Sequence, residues 1–345
     1  MITDVLKLTK WEWNKLRRRR MPWILLAIAI VISQISFWGG YAFYRSGVML
    51  DQASFATSET QNGQTVEITM TCRDIEAGTL PPEIENLSEQ RRGQVLEDIA
   101  RFEAEACQTP IEARRDLREA LVLPYSIGLS LGLVSSLGAI LVVILASSTI
   151  GIEYGLGTLR TTLAKGIGRS QFIVSKALLL ALLSAAALLV VSISIAISST
   201  IAALTLGDAA VAADSGAWLE VAIVYGKTLY GLIPYIALAM FFAVLTSSSG
   251  VGTAIVLGYY FAERIVVALL FNFDWFRKVA DFILGRAVDG WISSEGGLSI
   301  ELGASAGELP DALHGFLVML GYIVILGAFT FWLFQRRDIA GAKGD

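Results

Sequence analysis

Three charged residues lie more than two helical turns inside long apolar stretches: Lys227 within 218–246, and the adjacent Glu263 and Arg264 within 250–273. A charge in hydrocarbon costs several kcal/mol unless it is paired or hydrated, so such residues mark either an internal clamp or a route for an ion or substrate. Counted from the ends of their stretches at about 1.5 Å per residue, Lys227 and Glu263 both lie roughly 12–15 Å deep. At equal depth they can meet, as a clamp between two helices or as part of the lining of a pathway.

Other reactive chemistry is sparse. His314 is the single histidine, so there is no histidine cluster and no Ser-His pair. The spacing of possible ligands suits no zinc site. No GxxxxGK[ST] loop occurs, so this chain does not hold nucleotide in the P-loop manner. Cys72 and Cys107 are the only cysteines and share one polar segment. In an oxidising compartment they are expected to pair.

A third group is a pattern of faces. Residues 151–176, GIEYGLGTLRTTLAKGIGRSQFIVSK, combine five glycines, four basic residues and one acid between two apolar stretches. As a helix, 152–163 aligns Ile152, Leu156, Leu159 and Leu163 on one face. Glu153, Gly157 and Arg160 then recur at i, i+4 and i+7 on a neighbouring face, two opposite charges with a bare glycine between them. Such a face can seat against another protein while the leucines rest on a bilayer, and Gly166 and Gly168 let the chain turn away afterwards.

The elements that position these residues follow from composition. The chain is 54% hydrophobic and only 17% charged, below the roughly 25% charge of a soluble globular protein. Crossing a bilayer takes about 20 apolar residues of helix, and six stretches suffice: 22–44, 122–150, 172–206, 218–246, 250–273 and 312–334. The first is long for a signal-peptide core and no small-x-small cleavage site follows it, so it reads as a retained span. The expected class is an all-α integral membrane protein of six spans.

Sidedness follows from Lys and Arg in short flanks. The N-terminal segment (Lys7, Lys10, Lys15, Arg17–Arg20), the 151–171 connector and the 335–345 tail are basic. They belong in the cytoplasm. Loop 207–217 has two acids and no base, and loop 274–311 has seven acids against three bases, which places both outside. Segment 45–121, with fifteen acids and eight bases, then lies outside as well, where its two cysteines can oxidise.

Residues 1–21 read as an amphipathic interfacial helix with Leu6, Trp13 and Leu16 on its apolar side. In 45–121, Val66, Ile68 and Met70 alternate as in a strand after the turn signal Asn62-Gly63. Glu83–Ala106 has helical spacing, as does Pro110–Leu121, so a small α/β domain tied by a disulfide is expected. Trp275, Phe276, Val279, Phe282 and Ile283 predict an amphipathic helix on or dipping into the outer leaflet.

Gly151-Ile-Glu153-Tyr154-Gly-Leu-Gly157-Thr158-Leu-Arg160, followed by Arg169-Ser-Gln-Phe172 and Lys176, resembles the segment after the second span in permeases of the ABC-2 type, within six-span ABC exporters. The basic amphipathic start and the Arg-Arg-Asp ending resemble the same family. Here Lys165-Gly-Ile-Gly168 stands where many relatives carry a proline, and 45–121 is longer than their usual first outer loop. The resemblance implies a coupling helix docked on a separate P-loop ATPase, with Glu153, Tyr154, Gly157, Thr158 and Arg160 as contacts and residues 1–21 as a connecting helix. It implies two ATPase subunits holding ATP and Mg, with no cofactor on this chain. A second permease copy or homologue completes the pathway in a prokaryotic plasma membrane, and no nucleic acid is involved. Two other classes stay open: a secondary transporter or channel using Lys227, Glu263 and Arg264, and a sensor whose outer domain binds ligand.

Overall fold

The computed structural model describes residues 2–61, 64–155, 157, 168–206, 215–293 and 309–336. In chain order the elements are α1 (Ile2–Arg17), α2 (Arg20–Ser46), α3 (Val48–Asp51), β1 (Ser54–Gln61), β2 (Gln64–Thr71), α4 (Cys72–Glu76), α5 (Glu89–Phe102), α6 (Gln108–Leu121) and α7 (Tyr125–Gly155). Then follow α8 (Arg169–Leu206), α9 (Ser215–Thr246), α10 (Ser249–Leu270), α11 (Asp274–Ala280), α12 (Leu284–Ser293) and α13 (Ala312–Arg336). Among the described residues, six helices are long and apolar enough to cross a membrane, lying in α2, α7, α8, α9, α10 and α13. Helices satisfy their own backbone polar groups, as hydrocarbon requires.

The outward faces fit that solvent. Ile24, Ile28, Val31 and Ile35 of α2 are exposed, as are Leu313, Leu317, Leu320 and Val324 of α13. Each set recurs at i, i+4, i+7 and i+11, a continuous apolar stripe far larger than a water-facing helix carries.

The chain divides into two compact units. The first comprises 1–34, 127–197 and 212–345. In it α9 packs against α10, α12 and α13, and α12 against α13. The end of α7 meets the start of α10 so closely that a Cβ on Gly151 would collide with the backbone of Ser249. Only glycine permits that approach.

The second unit comprises 35–126 and 198–211. Strands β1 and β2 form an antiparallel hairpin that pairs Phe55 with Met70 and Thr57 with Ile68. Ile68 and Met70 point inward as their alternation predicts, onto Ile84, Val95 and Ile99. The side chain of Val66 and the turn at Asn62-Gly63 lie outside the described residues. Cys72 and Cys107 form a disulfide with Cα atoms 5.2 Å apart. It is buried against Leu50. The Asp74 carboxylate accepts the Thr71 backbone N–H at 2.8 Å and its hydroxyl at 2.9 Å. These bonds, the backbone one foremost, hold its carboxyl below the ordinary value of 3.8.

The helices here differ from the expected pair. Glu83–Ala106 is not one helix: Pro82–Asn86 forms a 3₁₀ turn, and α5 starts only at Glu89. A π-helical turn at Glu103–Cys107 then carries the path into α6, which begins at Gln108. Pro110 sits inside the first turn of α6 without breaking it, because the first four N–H groups of a helix have no intrahelical partner.

Among the described residues of 274–311, the expected amphipathic helix is instead two helices, α11 and α12, separated at Asp281–Ile283. In α11, Phe276 and Ala280 pack on Val267 and Phe271. Trp275 and Val279 are exposed. Helix α12 is mostly buried, including Leu284, Gly285, Ala287 and Val288.

Candidate functional site

Two clusters of buried charge lie in the first unit. One joins three stretches of chain: α1, the end of α7 and the start of α8. Lys176, two turns into α8, is 1% exposed. An ammonium has three donors, and three acceptors surround this one: Glu12 Oε2 at 2.9 Å, Glu153 Oε1 at 3.0 Å and the Thr149 carbonyl at 3.3 Å. Lys15 Nζ closes the ring, 2.8 Å from Glu153 Oε1 and 3.4 Å from Glu12 Oε1.

Two acids and two bases thus neutralise each other, with Glu12, Glu153 and Lys176 buried and Lys15 half-buried at the edge. A buried charge is tolerable only with such pairing. Aromatic faces add to the setting: Lys176 Nζ lies 4.9 Å from the Phe172 ring centroid and Lys15 Nζ 4.5 Å from that of Trp11. Phe172 stacks in turn on Phe334 of α13. Arg169 Nη1 donates to the Gln335 carbonyl at 2.6 Å. A cation on the last carbonyls of α13 satisfies groups that the helix leaves open and complements its dipole.

Local sequence explains the convergence. The buried side of α1 is Leu8, Thr9, Glu12 and Leu16, one stripe at helical spacing with an acid at its centre. Leu6, expected on the apolar side, is exposed, and Trp13 is half-buried. The helix therefore presents to the protein the face that carries Glu12, and Lys15 follows one turn later.

Glu153 belongs to this network. Its side chain is only 4% exposed and turned inward. The spacing argument put it on one helical face with Gly157 and Arg160, but α7 ends at Gly155, and Gly157 has a φ of +64°. A left-handed residue there breaks the helix that the i, i+4, i+7 pattern requires. Tyr154 is half-buried and Gly157 exposed. Leu156 and residues 158–167, with Thr158 and Arg160, lie outside the described residues. The second carboxylate oxygen of Glu153 is buried with no hydrogen-bond partner among the described residues.

The second cluster contains the intramembrane charges, paired differently from the expectation. Glu263 is engaged not by Lys227 but by the Gly285 backbone N–H, 3.2 Å from Oε2, and by the Tyr235 hydroxyl, 3.4 Å from Oε1. Arg264 grips Asp289 of α12 with both terminal nitrogens, at 2.6 and 3.2 Å. Bidentate geometry makes this the strong form of the pair. Lys227 Nζ lies 5.4 Å from the Trp291 ring centroid, and Trp291 Nε1 donates to the Lys227 carbonyl at 3.2 Å. Equal depth along two helices fixes height and leaves the direction around each axis open, and here the intervening helix α12 takes both Glu263 and Arg264.

His314 contacts the Asp281 carbonyl at 3.2 Å through Nε2. No group of metal-ligating side chains occurs among the described residues. Both clusters hold helices to one another. Sequence reasoning missed Glu12, Lys15 and Asp289 as partners. The signal for Glu12 was present, a lone acid on the otherwise uncharged stripe of Leu8, Thr9 and Leu16 in a basic helix.

The chain matches the family described as ABC-2 family transporter protein over residues 6–281. No curated protein matches it.

Proposed function

Because the chain belongs to the ABC-2 family of transporter proteins, a family of multi-pass membrane components of transporters, we propose that it is the permease subunit of an ATP-driven exporter. Two P-loop ATPase subunits supply ATP and Mg, and a second permease copy or homologue completes the pathway. In this reading α1, residues 156–168 and the C-terminal tail face the cytoplasm of a prokaryotic cell, and 45–121 forms a domain outside.

The observation that carries the coupling step is the Glu12–Lys15–Glu153–Lys176 network. It pins α7 and α8 on either side of the 156–168 connector and ties both to α1. A push on the connector by a closing ATPase dimer therefore moves α1, α7 and α8 together. The helix pair rearranges only if ATPase closure favours one of its two states. Glu153 acts from inside, holding the base of the connector, while Tyr154, Gly157, Thr158 and Arg160 supply the docking face.

The test is purification of the tagged chain from its native membranes in mild detergent, with co-purifying proteins identified by mass spectrometry. A P-loop ATPase should be recovered with the wild type and lost with Arg160→Glu. Recovery of the chain alone, still transporting in liposomes, would overturn the reading.

A further inference from the structure

An apolar crevice of about 240 Å³ opens among α1, α2, α7 and α8. Leu25 and Ala29 of α2, Leu141 and Leu145 of α7, and Ala187 and Val191 of α8 line its walls. Ser184 is the polar side chain of its α8 wall, and its hydroxyl is spent on the Leu180 carbonyl at 2.9 Å. At one border stand Trp13, Arg17 and Trp23. Trp23 Nε1 donates to the Arg17 carbonyl at 3.0 Å, fixing the turn between α1 and α2. Arg18, Arg19 and Arg20 continue the basic run there.

We propose that this crevice holds a segment of one acyl chain of a tightly bound anionic phospholipid, whose phosphate is met by Arg17 and the basic run beside it. A crevice of this size takes a segment of one extended chain, with the remainder lying in the bilayer, and its almost wholly apolar walls favour hydrocarbon over a polar cargo. An apolar slot lined by two tryptophans and Arg17 matches a molecule with a hydrocarbon chain at one end and a negative headgroup at the other. Charge selects the lipid: juxtamembrane Lys and Arg attract anionic headgroups. The lipid braces α1 against α2, α7 and α8, the side of α1 that the Glu12–Lys15–Glu153–Lys176 network leaves uncovered. The proposal stands whether or not an ATPase docks.

The experiment is lipid extraction and mass spectrometry of the full chain purified in mild detergent, with bulk membrane extract as reference. Wild type should retain phospholipid enriched in phosphatidylglycerol or another anionic class. Ala187→Trp, which fills the slot, should lower the retained lipid about tenfold, a loss of roughly 1.4 kcal/mol. Arg17→Gln should keep the lipid and lower the anionic preference about fivefold, the ~1 kcal/mol of one arginine near the surface. Ala29→Phe narrows the slot from another helix and serves if Ala187→Trp does not elute as a single species. Equal lipid in wild type and both filled variants, or headgroups in bulk proportion, would overturn the proposal. So would cross-linking of Ala187→Cys between two copies, which would make the crevice a protein interface.

Discussion

Lys176 shows how one side chain can set the arrangement of three segments. Its three donors meet carbonyl and carboxylate oxygens from α7 and α1. Replacing it with methionine keeps the bulk and leaves Glu12 and Glu153 buried beside Lys15 alone. Removing one partner of a buried pair costs about 3–5 kcal/mol. Lys176→Met should therefore lower the thermal midpoint in detergent markedly, and Lys176→Met with Glu12→Leu should recover part of the loss. A double variant no better than the single one would show that the network is not the source of stability. Glu153 and Lys176 stood out in the sequence as charges beside apolar stretches, but their meeting did not. Nothing in local spacing relates α1 to residues about 140 and 160 positions away. The same limit defeated the pairing of Lys227 with Glu263, which instead accepts the Gly285 N–H from the short helix α12 and the Tyr235 hydroxyl from α9.

Elements were legible where one face of a helix or strand decided the matter. The six long helices lie within a few residues of the apolar stretches, and the strand alternation of Ile68 and Met70 holds. Breaks were less legible, because a positive φ at Gly157 or a close approach at Gly285 depends on what packs nearby. Gly285 is the clearer case: a Cβ there would stand 2.6 Å from Glu263 Oε1. Glu263 cannot retreat without giving up the N–H it accepts from the same residue. Gly285→Ala should destabilise the packing of α12 by about 1–3 kcal/mol, the usual cost of overpacking. Gly258→Ala in α10, where no atom lies within 4 Å of the new carbon, is the control and should be neutral or slightly stabilising. Equal thermal midpoints for the two variants would mean that α12 yields freely and that its contact with Glu263 constrains nothing.

For the whole molecule, the six spans were readable from length alone, whereas orientation rests on charge. Lys and Arg gather in the N-terminal segment, in 151–176 and after α13, and acids dominate the other loops. The same assignment would put Cys72 and Cys107 in a compartment where a disulfide can form and persist. An ATPase can act only if the connector after α7 shares its compartment, so orientation bears directly on mechanism. With both native cysteines oxidised, introduced thiols report sides cleanly. Leu96→Cys lies on an exposed position of α5 and Lys10→Cys on an exposed position of α1. A membrane-impermeant maleimide on intact cells should label Leu96→Cys at once and Lys10→Cys only after permeabilisation. The reverse pattern would put the connector outside, beyond reach of ATP, and the proposed drive would fail whatever proteins co-purify. The expected pattern would leave the buried network at the base of the connector as the part of the chain best placed to turn ATPase closure into helix movement.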